Sequence, residues 1–221
     1  MAPGLLDKLL SLVFENSCLI CSESSQNNLV CTNCKDELSQ QSTSYVRNLK
    51  HITVYSYGFY GGKLRQSILN FKNNDKHLSV FFSGLLTQHW LKLNNHLPIN
   101  NIMVIPVPSH LKRIKERGYC HTTLIAKGFA QTLSYNFSNS LIKRKRHTKH
   151  MNKLKNKLER YNNVEEAFDI IGNIHTNTNL VVIDDILTSG ATMQEIAKTL
   201  LKHNPHIKIT GLTIACGDKF T

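Results

Sequence analysis

Apolar residues along the chain recur in two rhythms. Short runs rich in Val and Ile, at 52–57, 101–107, 180–183 and 207–215, have the length and composition of buried strands. Between them the apolar positions return at helical spacing. One helix pattern opens after the Gly61-Gly62 turn, near Lys63, with Leu64, Ile68 and Phe71 on one face. The stretch 76–92 carries Leu78, Phe81, Phe82, Leu85, Leu86 and Trp90, and 122–133 and 192–201 repeat the pattern. Short apolar strands separated by helices predict a parallel α/β sheet.

One strand ends unlike the others. In LVVIDDILTSGATM, residues 180–193, four apolar residues run into Asp184 and Asp185, then into Thr188-Ser189-Gly190-Ala191-Thr192. A carboxylate withdrawn from water is costly unless it is hydrogen-bonded or bound to a ligand. The carboxyl end of a parallel strand is also where open α/β sheets bind ligands. The loop offers backbone N–H groups and hydroxyls, and a helix starting at Thr192 adds the positive end of its dipole. That suits a phosphate monoester, with Asp184 and Asp185 placed to accept hydrogen bonds from the vicinal hydroxyls of a ribose. P-loop spacing and the dinucleotide-binding glycines are absent. The alternative is a plain helix cap made by the two acids.

Four of the six cysteines stand in CLICSESSQNNLVCTNC, as Cys18, Cys21, Cys31 and Cys34. Two CxxC knuckles nine residues apart can fold together and set four thiolates around one structural zinc. So short a segment needs the metal to fold. Two disulfides or one redox CxxC are the rival readings. A reducing cytosol and the duplication of the knuckle weigh against them. Cys120 and Cys216 read as ordinary buried or half-buried thiols.

At 221 residues, the chain suits one medium domain with a small appendage, and 41% apolar residues exclude a disordered chain. Its net charge of +12 favours phosphate-bearing partners, nucleic acid or phosphorylated small molecules, although solubility or compositional bias also produces such an excess. The charge is densest in segment 141–160, where nine Lys and Arg residues face one acid, Glu159. Such a block repels itself and is expected to be mobile until it meets an anion. It reads as a lid over a polyphosphate, as a strip for single-stranded DNA led by Lys143, Arg144, Lys145, Arg146 and Lys149, or as a solvated connector. No uncharged apolar run reaches the roughly 20 residues that span a bilayer. The N-terminal apolar pattern is interrupted by Asp7, Lys8 and Glu15 and has no small-residue cleavage signal, so the expected location is the cytoplasm.

VVIDDILTSGAT resembles the 5-phosphoribosyl-1-pyrophosphate (PRPP) signature of type I phosphoribosyltransferases. The rest of the chain is similar to the ComF/GntX-like family, which is linked to DNA uptake in competent bacteria. That family carries a four-cysteine zinc module, matched by Cys18 to Cys34. Its aromatic-Gly segment leading to a Lys is matched by Tyr60 to Arg65 and then Lys72. Its PVP loop followed by Arg-Gly is matched by Pro106-Val107-Pro108 and Arg117-Gly118. Its basic stretch ending in Asn and an Ala-Phe pair is matched by Arg144, Arg146, Thr148, Arg160, Asn163, Ala167 and Phe168.

The resemblance implies a type I phosphoribosyltransferase-like parallel sheet flanked by helices in 46–221, and a zinc module in 1–45. It implies that Asp184 and Asp185 hold the ribose hydroxyls and act at the catalytic centre. Residues Thr188, Ser189, Gly190, Ala191 and Thr192 would hold the 5-phosphate. Arg113 and Arg117 would lie by the pyrophosphate, Lys72 would also bind PRPP, segment 141–160 would be the flexible lid, and Mg²⁺ would accompany PRPP. It further implies a role in natural transformation, in uptake or processing of single-stranded DNA, with competence-machinery proteins as partners. A DNA-binding factor whose PRPP site is regulatory or vestigial is the alternative, and a structural adaptor is a third reading. Two departures fall on the expected acceptor or lid side. Tyr119-Cys120-His121 follows Arg117-Gly118 where the family has Phe-Asn-Gln, and Met151 stands where the family has Gln.

Overall fold

The computed structural model describes residues 17–25, 28–73, 75–93, 101–146, 148, 154 and 156–217; of Arg113, Arg117 and Lys157 it describes the backbone alone. A first helix, α1 (Thr32–Gln40), begins on Cys31, whose sulfur accepts the Cys34 N–H. A hairpin of β1 (Tyr45–Leu49) and β2 (Ile52–Phe59) follows, then α2 (Gly62–Lys72), α3 (Leu78–Leu93) and β3 (Ile102–Pro106). Next come α4 (Leu111–Arg117), α5 (His121–Leu133), β4 (Asn136–Phe137), β5 (Ile142–Arg144), α6 (Lys157–Val164) and β6 (Phe168–Ile170). The chain then makes β7 (Asn179–Leu187), α7 (Ala191–His203) and β8 (Lys208–Cys216).

Six strands form one sheet in the order β1-β2-β8-β7-β3-β4, and β5 pairs with β6 in a second small sheet. In the main sheet only the β1–β2 pair is antiparallel. Successive strand residues face opposite sides, so each strand feeds two cores. Val181 and Ile183 of β7 lie with Leu64, Ile68, Phe82 and Ile125 of α2, α3 and α5. Leu180 and Val182 lie with Ile196 and Leu200 of α7 and with Ile142 and Phe168 of the small sheet. The chain is therefore an α/β fold with helices on both faces of a mostly parallel sheet, and a four-cysteine cluster near its start.

The strand expected to stop at 183 continues through both acids to Leu187. Asp is a poor strand former, but parallel pairing with β8 carries β7 on, with Asp184 opposite Thr213 and Leu187 opposite Cys216. The 141–160 block has regular structure at both ends. Self-repulsion is offset there by pairing of Ile142–Arg144 with β6 and by Asn156, whose side chain caps α6 through the Glu159 N–H. In its middle, residues 147, 149–153 and 155, including Lys149 and Met151, lie outside the described residues, as does the N-terminal apolar stretch 1–16. Among the described residues no helix is long and apolar enough to cross a membrane.

The cysteine segment is built into the first core rather than appended to it. Cys18, Ile20, Val30, Cys31, Cys34 and Leu38 are buried in the same cluster as Leu64 and Phe71. From α2, Gln66 donates to the Ile20 carbonyl at 3.0 Å and Asn70 to the Leu19 carbonyl at 2.9 Å.

His89 of α3 is 4% exposed, and its Nε2 has no hydrogen-bond partner. Burial, with help from Lys92, lowers its pKa from 6.5 to about 4. The unfolded chain takes up this proton more readily, so stability is complete above pH 6.5 and is lost as pH falls toward 4. The loss is on the order of 3 kcal/mol by linkage. His89→Leu should flatten the fall in urea-unfolding midpoint between pH 7 and 4.5; an unchanged pH profile would exclude this role.

Candidate functional site

The site follows from where consecutive strands send their helices. After β3 the chain passes through α4 to α5, which covers the α2/α3 face; after β7 it enters α7, which covers the opposite face. The neighbouring strands β3 and β7 are parallel, with Pro106 opposite Ile183. Their loops therefore diverge at the same end of the sheet, opening a crevice of the kind that binds ligands in open α/β sheets. Asp184 and Asp185 stand at that end of β7, and residues 188–190 turn the chain into α7.

The two acids have different surroundings. Asp185 is 7% exposed, yet both its oxygens are engaged. Oδ2 accepts from Lys72 Nζ at 2.5 Å and from His121 Nε2 at 2.9 Å, and Oδ1 accepts from the Ile186 N–H at 2.7 Å. Burial alone would raise its pKa, but Lys72 and His121 outweigh it and hold the carboxyl well below the usual range. Asp184 is half-buried, and its Oδ1 accepts the Asp185 N–H at 2.9 Å. Burial and the neighbouring Asp185 charge push its pKa well above the usual range. A hydroxyl or cation arriving beside Asp184 would relieve that penalty.

The turn into α7 is held from three sides. Gly190 has φ +81°, so the backbone calls for glycine, and a Cβ there would also press on the end of the Leu49 side chain, 2.8 Å from Cδ1. Arg47 of β1 donates to the Thr188 carbonyl at 2.7 Å, and the Tyr161 hydroxyl of α6 reaches the Ser189 carbonyl at 3.4 Å. Ser189 Oγ accepts the Ala191 N–H at 3.3 Å. Thr188, Ser189, Gly190, Ala191 and Thr192 thus run from the end of β7 into the first turn of α7.

Of the residues expected at the site, Asp184, Asp185, residues 188–192 and Lys72 come together. Arg113 and Arg117 lie on α4, in the β3–α5 connection on the same side of the sheet. In the basic segment, Lys143 is exposed on β5. The Arg144 guanidinium stacks 4.9 Å over Phe168, Lys145 pairs with Asp169 at 3.1 Å, and Arg146 donates to the Glu165 carbonyl at 2.6 Å. Those three cations are thus partly committed within the protein, and Lys149 lies outside the described residues. His121, expected on the acceptor or lid side, instead touches Asp185. Arg47 and Tyr161 carried no sequence signal, because their contact with the loop joins segments more than a hundred residues apart for Arg47 and 28 apart for Tyr161.

The four cysteine sulfurs lie within 4.8 Å of one another, and Cys21 and Cys31 are 3.7 Å apart. A tetrahedron with metal–sulfur bonds of about 2.3 Å has edges of about 3.8 Å, so this cluster can hold one metal ion. Cys18 is drawn down to a pKa of about 6: burial raises it, but N–H donors of Cys31, Cys21 and Ile20 prevail. Burial and the adjoining sulfurs push Cys34 up. Four thiolates this close repel one another, and a divalent cation allows all to ionise together.

No family model matches the chain. Over 115 residues it is 31% identical to Competence protein F of Haemophilus influenzae, a stretch covering 51% of this chain and 50% of that protein. Over 198 residues it is 24% identical to Competence protein ComFC of Bacillus subtilis, covering 89% of this chain and 76% of that one. The chain is similar in sequence to competence proteins F and ComFC. Its match spans half the length of the first and about three quarters of the second. Among solved structures it is similar to an adenine phosphoribosyltransferase, with 13% identity, TM-score 0.45, and coverage of 85% of this chain and 91% of that one. The Saccharomyces cerevisiae adenine phosphoribosyltransferase gives 13% identity, TM-score 0.43 and coverage of 84% and 89%.

Proposed function

We propose that this chain is a PRPP-binding, phosphoribosyltransferase-like protein that serves natural transformation, in the handling of incoming single-stranded DNA. The observation that carries the reading is the convergence of Asp184, Asp185, Lys72 and the 188–192 turn at the carboxyl ends of β7 and β3. On this reading the acid pair stands at the ribose, the turn and the start of α7 hold the 5-phosphate, and Lys72 with Arg113 and Arg117 faces the pyrophosphate. The competence role is taken from the names of its relatives. Residues 46–221 would carry the substrate site. Residues 1–45 would carry a structural zinc on Cys18, Cys21, Cys31 and Cys34. The protein would work in the cytoplasm, where thiols stay reduced, alongside other competence proteins.

Asp184, the less engaged of the two acids, is a hard oxygen donor of the kind Mg²⁺ accepts beside substrate oxygens and water. Bound with PRPP, the ion would neutralise charge on the departing pyrophosphate. The chain's own residues orient the sugar: the turn fixes its phosphate end and the acidic end of β7 its hydroxyl edge, so that ribose C1 faces the crevice. An acceptor would bond to C1 as the C1–O pair leaves with pyrophosphate.

A DNA-binding factor with a regulatory PRPP site is the second reading, favoured by exposed Lys143 on β5 and the charge of +12. Incubating the protein with PRPP, Mg²⁺ and a panel of bases, amines and single-stranded DNA separates the two. Pyrophosphate release that depends on one acceptor is the expected result. DNA binding that weakens steeply with salt, without pyrophosphate release, would replace the transferase reading with the second.

A further inference from the structure

We infer that His121 is a positioning residue that locks Asp185 onto Lys72, so that the paired acids divide their work: Asp184 meets the ribose, and Asp185 aims the Lys72 ammonium at the pyrophosphate. The inference rests on the proposed PRPP site and assigns roles within it.

The bonding of Asp185 carries the division. A carboxylate offers about four lone-pair positions. Three are taken, two on Oδ2 by Lys72 and His121 and one on Oδ1 by the Ile186 N–H. A buried acid so engaged has little left for a sugar hydroxyl. Asp184, one residue earlier in a strand, points to the other side and is half-buried with Oδ1 on the Asp185 N–H.

His121 suits the task by its placement. It is the first residue of α5, 8% exposed, and its ring stands edge-on to Phe71 at 6.0 Å and 88°. Phe71 immediately precedes Lys72 on α2, and the Tyr119 hydroxyl donates to the Phe71 carbonyl. Tyr119 and His121 thus tie the last turn of α2 to the start of α5. Since a carboxylate only accepts, the contact sets the His121 proton on Nε2. An amide in place of the imidazole could donate from a similar distance; a hydrocarbon could not.

The test is calorimetry of the full chain with Mg²⁺ and, separately, PRPP and ribose 5-phosphate. His121→Leu and Asp185→Asn should each weaken PRPP about tenfold or more while leaving ribose 5-phosphate within about twofold. Asp184→Asn should weaken both ligands, and His121→Gln should bind PRPP like the wild type. Equal losses of both ligands in Asp185→Asn would place Asp185 on the ribose and overturn the division. If His121→Leu binds PRPP normally, or His121→Gln fails as His121→Leu does while melting like the wild type, the positioning role is excluded. If the wild type binds neither ligand, the PRPP site itself is wrong, a result distinct from the others.

Discussion

Stripping the metal from the cysteine cluster is expected to unfold far more than the knuckle. Cys18, Ile20, Val30, Cys31, Cys34 and Leu38 share a buried cluster with Leu64, Ile68 and Phe71. Losing the segment would expose those side chains of α2 and leave Gln66 and Asn70 without the carbonyls of Leu19 and Ile20. Structural zinc contributes roughly 10–16 kcal/mol in small zinc-folded domains, as much as the roughly 5–15 kcal/mol of a whole domain's stability. A chelator, or Cys34→Ser, should therefore lower the thermal midpoint by at least about 10 °C. It should also weaken binding at the proposed PRPP site, because Lys72 sits at the end of the helix that holds the knuckle. Thermal scans with metal content measured in parallel would check this. A midpoint unchanged after the metal has been removed stoichiometrically would contradict it.

Neutralising the acids should separate stability from function. Asp184→Asn with Asp185→Asn removes the acceptor that meets the ribose and the anion that holds Lys72, each a charged hydrogen-bonding partner worth about 1.5–3 kcal/mol, and should cost PRPP roughly a hundredfold or more in affinity. The single changes should move stability in opposite directions. Asp184 has a raised folded pKa, so its ionised form costs stability at neutral pH, and the cost is relieved as pH falls through that pKa. Asp184→Asn is expected to raise the unfolding midpoint at pH 7. Asp185 has a depressed folded pKa, so its contribution is present above the unfolded value of 3.8 and is lost below it. Asp185→Asn should lower the midpoint, since Lys72 and His121 lose their anion. Denaturant titrations at pH 7 check both signs; a fall for Asp184→Asn would mean that its burial carries no penalty.

The architecture was legible where one apolar rhythm dominated. The runs at 52–57, 101–107, 180–183 and 207–215 became β2, β3, β7 and β8, and the helix patterns became α2, α3, α5 and α7. Elements held by contact rather than by pattern were not. Strand β1 is mostly exposed and exists by pairing with β2, and α1 is nucleated at Cys31. The short helix α4 reads as a basic loop because Lys112, Arg113, Lys115 and Arg117 dominate its seven residues. In the site, the Asp-Asp pair and the Thr-Ser-Gly turn are local and readable. The bond from His121 to Asp185 spans 64 residues and joins α5 to β7, which no local pattern encodes. In the basic block the charge was readable, but Asp169, Phe168 and the Glu165 carbonyl that engage part of it come from residues beyond the block.

The central claim is that the end of β7 holds PRPP, and the most direct measurement is a calorimetric titration of the metal-loaded wild-type chain with PRPP and Mg²⁺. Saturable binding at one site per chain, lost in the Asp184→Asn, Asp185→Asn double variant, is the predicted result. Absence of saturable binding, or equal affinity in the double variant, would contradict it.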